Sequence, residues 1–352
     1  MMRRLLAFVL GACCLAMAQV PSDYRIGVYY YPGWKATAKE DPWAKIKPYK
    51  EREPLLGFYP EGDVATAETQ LGWMHQYGID FVLYDWYWSP SGQTYLNHAV
   101  DAYLQAKNRT QVKFGVIWCN HTDRVPSSVA NFDAMVDYWI KTLFSQPTYL
   151  REDGKPVVVV FSPQELYNLA RKIGTTSNAL LAKARAKARA AGYPGIHFVG
   201  CAAAQKDYVN GLIVGDGYDA VTTYNYGKGY SGEMQNNKPL PTTFQALAEG
   251  YRENWDWMVK QGTLPYWVPV IAGWNKRPWG SDTPHDNCVS TPATFTQHLK
   301  AAKAYLDQYP QKTRRTLVIC AWNEFGEGSY IEPTRLAGKA YLEAIQTVFR
   351  KK

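Results

Sequence analysis

The chain alternates between two hydrophobic patterns from about residue 26 to its end. Short apolar, β-branched runs are typical of strands buried on both faces, and they alternate with segments whose apolar residues recur every three or four positions, as on helices. This alternation predicts βαβ units around a parallel sheet. Eight runs are predicted as strands: 26–31, 81–84, 113–118, 157–161, 197–201, 220–224, 268–272 and 317–321.

The segments between these runs predict the connecting helices. Helical spacing of apolar residues covers 64–77, 94–106, 132–144, 179–191, 244–260, 292–306 and 338–349. Eight strands that alternate with helical segments predict a single closed (β/α)8 TIM barrel. The alternative is an open doubly wound sheet, but neither a Gly-x-Gly-x-x-Gly motif nor a phosphate-binding loop follows the first strand. Two long loops, 32–62 and 274–290, follow strands one and seven, so we expect them on the C-terminal face of the barrel.

The N-terminus has the layout of a secretory signal. Two arginines precede an apolar stretch over residues 5–15, and the small-residue sequence Ala16-Met17-Ala18 precedes Gln19. We therefore expect a signal peptide over 1–18, a barrel domain over 19–352, a secreted or periplasmic location, and no membrane span after signal removal. Leu10-Gly11-Ala12-Cys13 leaves open a lipid anchor at Cys13.

Charge and cysteine usage narrow the partners. The formal net charge of +8 falls to +6 when Arg3 and Arg4 are removed, and the remaining basic residues are scattered, without a nucleic-acid-binding module. No nucleic-acid partner is predicted, although an electropositive surface for acidic glycans is possible. The four cysteines beyond the signal do not form a disulfide framework, and one bridge stays open. His285, Asp286 and Cys288 lack a spaced partner set, so neither a metal nor a cofactor is predicted.

Aromatic and polar residues cluster where the predicted strands end. The chain has 13 Trp, 26 Tyr and 12 Phe, more amphipathic aromatics than a core requires. Active sites of (β/α)8 barrels are assembled at these strand ends, and aromatic faces pack against the C–H faces of sugar rings while polar groups bind hydroxyls. Any single Trp could instead fill the barrel. The predicted contacts to an oligosaccharide or polysaccharide substrate are Tyr30, Tyr31, Trp34, Asp85, Trp86, Tyr87, Trp88, Trp118, Asn120, His121, Tyr224, Asn225, Trp274, Trp322, Asn323, Tyr330 and Glu332.

The stretch 316–333 brings carboxylates into this predicted cleft. A buried apolar run is followed directly by Asn323-Glu324-Phe325-Gly326-Glu327. Within one turn, Glu324 and Glu327 would have Cβ atoms about 5–6 Å apart on one side, which suits a division of acid and base work. The alternative is that they are solvated loop charges. Asp85 is a reserve carboxylate that could equally bind a sugar hydroxyl.

Three motifs resemble glycoside hydrolase family 99 and, more closely, the family-99-like proteins called WbsX-like. They are Val28-Tyr29-Tyr30-Tyr31-Pro32-Gly33-Trp34, the segment from Gly78 through Tyr84-Asp85-Trp86-Tyr87-Trp88, and Trp322-Asn323-Glu324-Phe325-Gly326-Glu327-Gly328 with Ile331-Glu332-Pro333. The last is the most specific. The resemblance spans nearly the whole chain after the signal and implies a (β/α)8 barrel with retaining endo-α-mannosidase activity.

The resemblance also implies roles for the two glutamates. Glu324 corresponds to the base that acts on the sugar 2-hydroxyl to give a 1,2-anhydro intermediate, and Glu327 corresponds to the acid that later acts as base. Family 99 has Trp-His between its glutamates, whereas this chain has Phe325-Gly326.

The sequence therefore predicts an exported glycoside hydrolase. Two other classes stay open: a non-catalytic glycan-binding protein on the same barrel, and an assembly protein of an envelope polysaccharide system. A glycosyltransferase is less favoured, because neither a phosphate loop nor an acidic metal pair is evident.

Overall fold

The computed structural model describes residues 23–37, 40–229 and 239–350. The predicted signal peptide, its cleavage site and Cys13 lie outside these residues. Among the described residues, no helix has the length and apolar character needed to cross a membrane. The cysteines within them, Cys119, Cys201, Cys288 and Cys320, are buried and free.

Eight parallel strands form a ring. They are β1 (Arg25–Tyr30), β2 (Phe81–Trp88), β3 (Lys113–Trp118), β4 (Lys155–Val160), β5 (His197–Cys201), β6 (Ala220–Thr222), β7 (Val268–Ile271) and β8 (Thr316–Cys320). Each strand pairs with the next from β1 to β6, while β8 lies between β7 and β1. Between β6 and β7, the Val221 amide donates to the Pro265 carbonyl at 2.9 Å and the Trp267 amide donates to Val221 at 2.9 Å. These bonds close the ring, so the predicted (β/α)8 barrel is confirmed.

Helices follow the strands around the outside. They are α1 (Val64–Gln76), α2 (His98–Gln105), α3 (Val129–Tyr138), α4 (Pro163–Lys172), α5 (Ser177–Ala190), α6 (Phe244–Lys260), α7 (Pro292–Gln308), α8 (Pro310–Thr313) and α9 (Ala340–Phe349). Most of the longer helices begin at a side-chain cap, which satisfies an amide in the first turn. Such caps are Asp63, Ser128, Ser162, Thr176, Thr243 and Thr291.

Several boundaries differ from the sequence prediction. Strand β2 continues to Trp88, four residues beyond its predicted end, because Thr94–Tyr95 returns as a short antiparallel partner, and α2 therefore starts only at His98. Helix α4 was not predicted, although its Ser162 cap and N-terminal Pro163 are typical start signals. A π-helix over Asp207–Ile213, too short for a clear periodicity, takes the helical place after β5. A second π-helical turn, Trp139–Phe144, continues α3.

Side chains of the strands alternate between two buried layers. Tyr29, Phe81, Leu83 and Val318 point into the barrel and form its inner core, whereas their neighbours, such as Val28, Val82 and Tyr84, join the layer between strands and helices. Since both faces are buried, the strands are hydrophobic throughout.

The two long loops pack against the segment that follows β8. A separate aromatic cluster combines Trp34, Trp43, Ile46 and Tyr59 of the first loop with Phe325. The buried Arg52 guanidinium donates to the carbonyl oxygens of Asn275 at 3.1 Å and Phe325 at 2.5 Å. The first loop, the loop after β7 and the segment after β8 are therefore joined at the C-terminal face, where the sequence predicted both loops.

Candidate active site

The segment after β8 forms a tight hairpin that carries both glutamates. Asn323–Glu324 pairs antiparallel with Ser329–Tyr330, and Glu324 lies opposite Ser329. Inside the turn, the Glu327 amide donates to the Glu324 carbonyl at 3.2 Å, and Gly328 adopts a φ of 72°, which favours glycine. The turn brings the side chains of Glu324 and Glu327 to one cavity.

That cavity lies at the carboxyl ends of the strands and has a volume of about 270 Å³. Residues at the ends of several strands, and in the loops that follow them, line the cavity. Its lining residues are Tyr31, Asp85, Tyr87, His121, Phe161, Tyr224, Asn225, Trp274, Trp279, Glu324 and Glu327.

The parity of β2 explains how Asp85 reaches the cavity. Phe81 and Leu83 point into the barrel, so Asp85 and Tyr87 continue the same face. The Asp85 side chain is buried, and its Oδ1 atom lacks a hydrogen-bond partner among the described residues. A buried acceptor in this state is suited to a donor from a bound molecule, such as a sugar hydroxyl.

One tyrosine hydroxyl connects two of the cavity's carboxyl groups. The Tyr224 hydroxyl lies 2.9 Å from Glu324 Oε1 and 3.2 Å from Asp85 Oδ2. A phenol has one proton to donate, so Tyr224 can bridge both groups fully only if one of them is protonated. Either a protonated Asp85 donates to the tyrosine oxygen while the tyrosine donates to an ionised Glu324, or the two carboxyls exchange these roles.

The second glutamate has a different neighbour. Lys276, on the loop after β7, places its Nζ 3.6 Å from Glu327 Oε1. The backbone fixes this contact, because the Asn275 amide donates to the Glu327 carbonyl at 2.6 Å. Within the described chain, Asp85 and Glu324 have no ion-pair partner of this kind.

Burial governs the protonation of all three acids. Burial, followed by the proximity of Glu327 and Asp85, raises the pKa of Glu324 well above its usual value, while the Tyr224 hydrogen bond opposes this shift. Burial likewise raises the pKa of Asp85. Burial also raises the pKa of Glu327, against the opposing effect of Lys276. Burial thus displaces the pKa of all three carboxyls upward, the direction that lets a carboxyl serve as a general acid.

Nine of the predicted site residues line this cavity. They are Tyr31, Asp85, Tyr87, His121, Tyr224, Asn225, Trp274, Glu324 and Glu327. His121 is exposed at the rim, where its ring lies 3.9 Å from the Phe161 ring.

Four predicted aromatic contacts lie elsewhere. Tyr30, Trp86, Trp88 and Trp118 point away from the barrel axis and pack between the strands and the helices, each at most 4 % exposed. Their parity places them one residue out of step with Tyr31, Asp85 and Tyr87, which point inward. The expectation that they contact substrate is therefore corrected: they are core residues.

Three further predicted residues lie in or against the hairpin without lining the cavity. The Asn323 side chain pairs with both backbone groups of Tyr31 at 2.9 Å, and the buried Trp34 indole donates to the Asn323 carbonyl at 2.9 Å. Trp322 is fully buried in the outer layer. These residues position the glutamates without lining the cavity.

The remaining predicted contacts are also structural. Asn120 pairs with both backbone groups of Ser162, at 2.7 and 2.8 Å. Tyr330 packs 4.8 Å from the Phe325 ring. Glu332 is buried and accepts from Tyr59 at 2.8 Å and Gln70 at 3.2 Å, and burial raises its pKa to about 8.

Several residues that shape the site were not predicted. Phe161 directly follows β4, so the strand-end rule that selected the other candidates could have found it. Trp279 lies inside the loop after β7, where no periodicity indicates direction. Arg52 and the buried Glu61, which accepts from the Trp34 amide at 2.8 Å and lies 2.9 Å from His98 Nε2, are charged loop residues without a distinguishing pattern. No group of three or more His, Cys, Asp or Glu in the described ranges could hold a metal ion.

The fold and this cavity define a (β/α)8 barrel with a carboxylate-rich pocket at the carboxyl ends of its strands. The family described as "Glycosyltransferase WbsX" matches residues 31–345, and the chain belongs to this family. A search of curated proteins finds no match.

Solved structures share the barrel over nearly its full length. One described as a "Glycoside hydrolase-like protein" is 16% identical, with 96% of each chain covered and a TM-score of 0.70. The GH99 endo-alpha-mannosidase from Bacteroides thetaiotaomicron, in complex with BIS-TRIS-Propane, is 17% identical, with 92% of this chain and 96% of that chain covered and a TM-score of 0.63. At these identities the likeness shows the fold, and it agrees with the resemblance found in the sequence motifs.

Proposed function

We propose that the protein is an exported, endo-acting and retaining glycoside hydrolase for α-linked, mannoside-like glycans. The observation that carries the proposal is the hairpin turn that presents Glu324 and Glu327 to one cavity, with Glu324 against Tyr224 and Glu327 beside Lys276. Aromatic rings and the unpartnered Oδ1 of Asp85 supply the apolar and polar contacts that a sugar ring needs.

In the first step Glu324 acts as base and Glu327 as acid, as the family resemblance implies. The ionised Glu324 takes the proton of the sugar 2-hydroxyl, whose oxygen attacks C1. The bond from C1 to the leaving oxygen breaks, and Glu327 gives its proton to that oxygen. The product is a 1,2-anhydro sugar, with Glu324 protonated and Glu327 ionised.

Water completes the reaction. Glu327 takes a proton from water, whose oxygen attacks C1, and the bond from C1 to the sugar O2 breaks. Glu324 returns its proton to O2, which restores both side chains. Two inversions at C1 give net retention of configuration. Donation by the Tyr224 hydroxyl to Glu324 favours the ionised form that the first step needs. Burial of Glu324 and the Lys276 ammonium beside Glu327 act in the opposite sense, so the proposed roles of the two glutamates rest on the family resemblance and on this hydrogen bond.

The experiment is a turnover screen of the purified protein on a panel of α-linked oligosaccharides, with product configuration followed by NMR. We expect internal cleavage of an α-mannoside with initial release of the α-anomer. Initial release of the β-anomer would contradict the retaining mechanism. Intact-mass analysis of protein recovered from the producing cells tests export, with Gln19 as the expected first residue and a lipid-modified Cys13 as the contrary result.

The family description gives one other candidate, a glycosyltransferase. The same panel, incubated with nucleotide sugars, tests it: elongated products that require the nucleotide sugar would replace the hydrolase proposal. Binding of a panel member without turnover or transfer would favour the glycan-binding alternative.

A further inference from the structure

Trp279 lines the cavity and takes no part in the proposed acid–base chemistry. It ends a short 3-10 helix, Arg277–Trp279, in the loop after β7, and 37 % of its surface is exposed although it lines the cavity. A large ring left this open beside two catalytic candidates presents apolar surface to whatever the cavity binds.

The indole lies directly over Gly326, between the two glutamates of the hairpin. A Cβ atom at position 326 would lie 1.9 Å from Cε2 and 2.0 Å from Nε1 of the Trp279 ring, far inside van der Waals contact. Gly326 is not among the glycines with positive φ, so its backbone conformation does not require glycine. The absence of a side chain at 326 therefore serves to admit the indole.

Other rings and the loop hold the indole in place. Trp34 lies parallel to Trp279 within 8°, with centroids 6.3 Å apart, and stacks in turn on the buried Trp43 at 4.3 Å. The exposed Lys45 also places its Nζ 5.5 Å from the Trp279 ring centroid, within cation–π distance. A ring supported in this way can contact a ligand with little loss of side-chain entropy.

Asp286 fixes the shape of the loop that carries this ring. Its carboxylate accepts from the Lys276 amide at 2.7 Å, the Ser281 hydroxyl at 2.7 Å and the Thr283 amide at 2.8 Å. Burial favours the neutral acid, but these hydrogen bonds outweigh it and lower the pKa of Asp286 to about 2. An ionised side chain thereby links residues 276, 281 and 283 of the loop.

We propose that Trp279 is the stacking platform of a subsite for a neutral pyranose ring beside the two glutamates, and that Gly326 specifies this subsite by leaving room for the indole. The inference rests on the proposed function for its choice of ligand class. Because a side chain at position 326 would occupy the position of the Trp279 indole, the effects of substituting the two residues on ligand affinity should be non-additive.

The test is a double-mutant cycle read by binding. Glu324→Gln protein is screened on an array of neutral pyranose oligosaccharides, and its tightest ligand is measured by calorimetry against three further variants in the same background: Trp279→Ala, Gly326→Ala and both together. We expect each single change to weaken binding about tenfold, and the double change to weaken it no more than Trp279→Ala alone. Trp279→Phe, which keeps a smaller ring, should retain part of the affinity.

Gly328→Ala is the matched control. Gly328 has a φ of 72°, and a Cβ there would lie 2.8 Å from the Asn275 amide nitrogen, so this change should be harmful whether or not Trp279 is present. Melting temperatures report whether each variant is folded.

Three outcomes would overturn the subsite. They are unchanged affinity in folded Trp279→Ala, equal additive losses from Gly326→Ala in both backgrounds, and failure of every array member to bind. The proposed function fails separately, because a glycan that binds through Trp279 but is never cleaved by the wild type leaves the subsite standing. Conversely, if the wild type cleaves a glycan and Trp279→Ala leaves its affinity unchanged, the subsite proposal fails while the proposed function stands.

Discussion

At the amino ends of the barrel strands Glu152 lies between the guanidinium groups of Arg25 and Arg314, whereas at the carboxyl ends Glu324 lies against a tyrosine hydroxyl shared with another carboxyl. The amino-end face has a second ion pair, in which the Arg350 guanidinium lies 2.7 Å from both carboxylate oxygens of Asp80. These amino-end acids are paired with cations and serve the fold, while among the described residues only Lys276 lies within ion-pair distance of a buried cavity acid.

The difference shows that the acids at the two ends of the barrel have different environments, one that stabilises the charged form and one that does not. Cationic partners offset part of the cost of burying an acid such as Glu152, whereas burial without them raises the pKa of the acid and lowers stability. The carboxyl groups of the cavity are therefore poorly stabilised in the unbound protein, as is expected of functional groups, whose requirements can oppose stability. Substitutions at the two faces should separate these roles.

The largest effect is expected at the cavity. Glu324→Gln and Glu327→Gln should each reduce turnover at least about a hundredfold, because in the proposed mechanism each removes a general acid or base. Melting temperatures should stay equal or rise, since a buried carboxyl of raised pKa is replaced by a neutral amide. Initial rates and thermal melts of both variants check this.

Substrates with good leaving groups distinguish the two glutamates. Such a substrate needs little protonation, so it should partly restore the first step in Glu327→Gln but not in Glu324→Gln, which still lacks the base. Rescue of Glu324→Gln instead would reverse the roles, and full activity in either variant would remove the assignment.

A smaller effect is expected from Tyr224→Phe, which leaves both glutamates in place. Loss of a hydrogen bond to a charged group, about 1.5–3 kcal/mol, should lower kcat/KM roughly tenfold to a hundredfold. The Tyr224 hydrogen bond lowers the pKa of Glu324, so its loss should move the acid limb of the kcat/KM profile to higher pH. Rate profiles from pH 4 to 9 measure both.

Tyr226→Phe is the control for this change. Its hydroxyl lies 3.0 Å from the Tyr266 hydroxyl, buried outside the cavity lining, so its loss should leave the rate profile unchanged. An identical profile for Tyr224→Phe and wild type would show that the tyrosine does not act on Glu324.

These comparisons also show how far the sequence determines the site. The eight strands and the position of Glu324 and Glu327 directly after the last of them were readable, because eight buried runs and a change from apolar to acidic residues leave clear signals. The direction of each aromatic was not: Asp85-Trp86-Tyr87-Trp88 is buried on both faces, so hydrophobicity alone cannot separate inward Tyr87 from outward Trp86 and Trp88. Asp85 could have fixed the parity, since an acid in a buried strand points to the cavity rather than to the helices.

Loop contributions were less predictable for a different reason. The contact between Trp279 and Gly326 depends on the packing of two loops against the hairpin. The Arg52 guanidinium binds the backbone carbonyls of Asn275 and Phe325, and Asp286 accepts from the backbone amide of Lys276. Contacts of this kind depend on tertiary packing, and no spacing in the sequence encodes them.

On the opposite face, Glu152→Gln should affect stability and spare catalysis. It weakens the bridge between Arg25 and Arg314 and should lower the free energy of unfolding by about 1–3 kcal/mol, with unchanged kcat per folded molecule. Urea denaturation with a parallel turnover assay checks it. A loss of kcat without a loss of stability would mean that the two faces are not separate in role.

The smallest effect at neutral pH is expected at His298, which lies on neither face and so isolates burial from function. Its ring is enclosed by Trp255, Tyr251 and Phe244, both ring nitrogens lack a partner within the described residues, and burial lowers its pKa to about 3. The folded state keeps this histidine neutral, while the unfolded chain protonates it near pH 6.5. Its contribution to stability is therefore complete above pH 6.5 and is lost as the pH falls towards 3, by about 1.4 kcal/mol per unit. His298→Phe should remove that dependence, so the variant should gain about 1.4 kcal/mol over wild type between pH 7.5 and 5.5 in urea titrations. Equal pH dependence in wild type and His298→Phe would show that burial without a partner does not by itself impose this cost, and the account of the cavity acids would then need another cause.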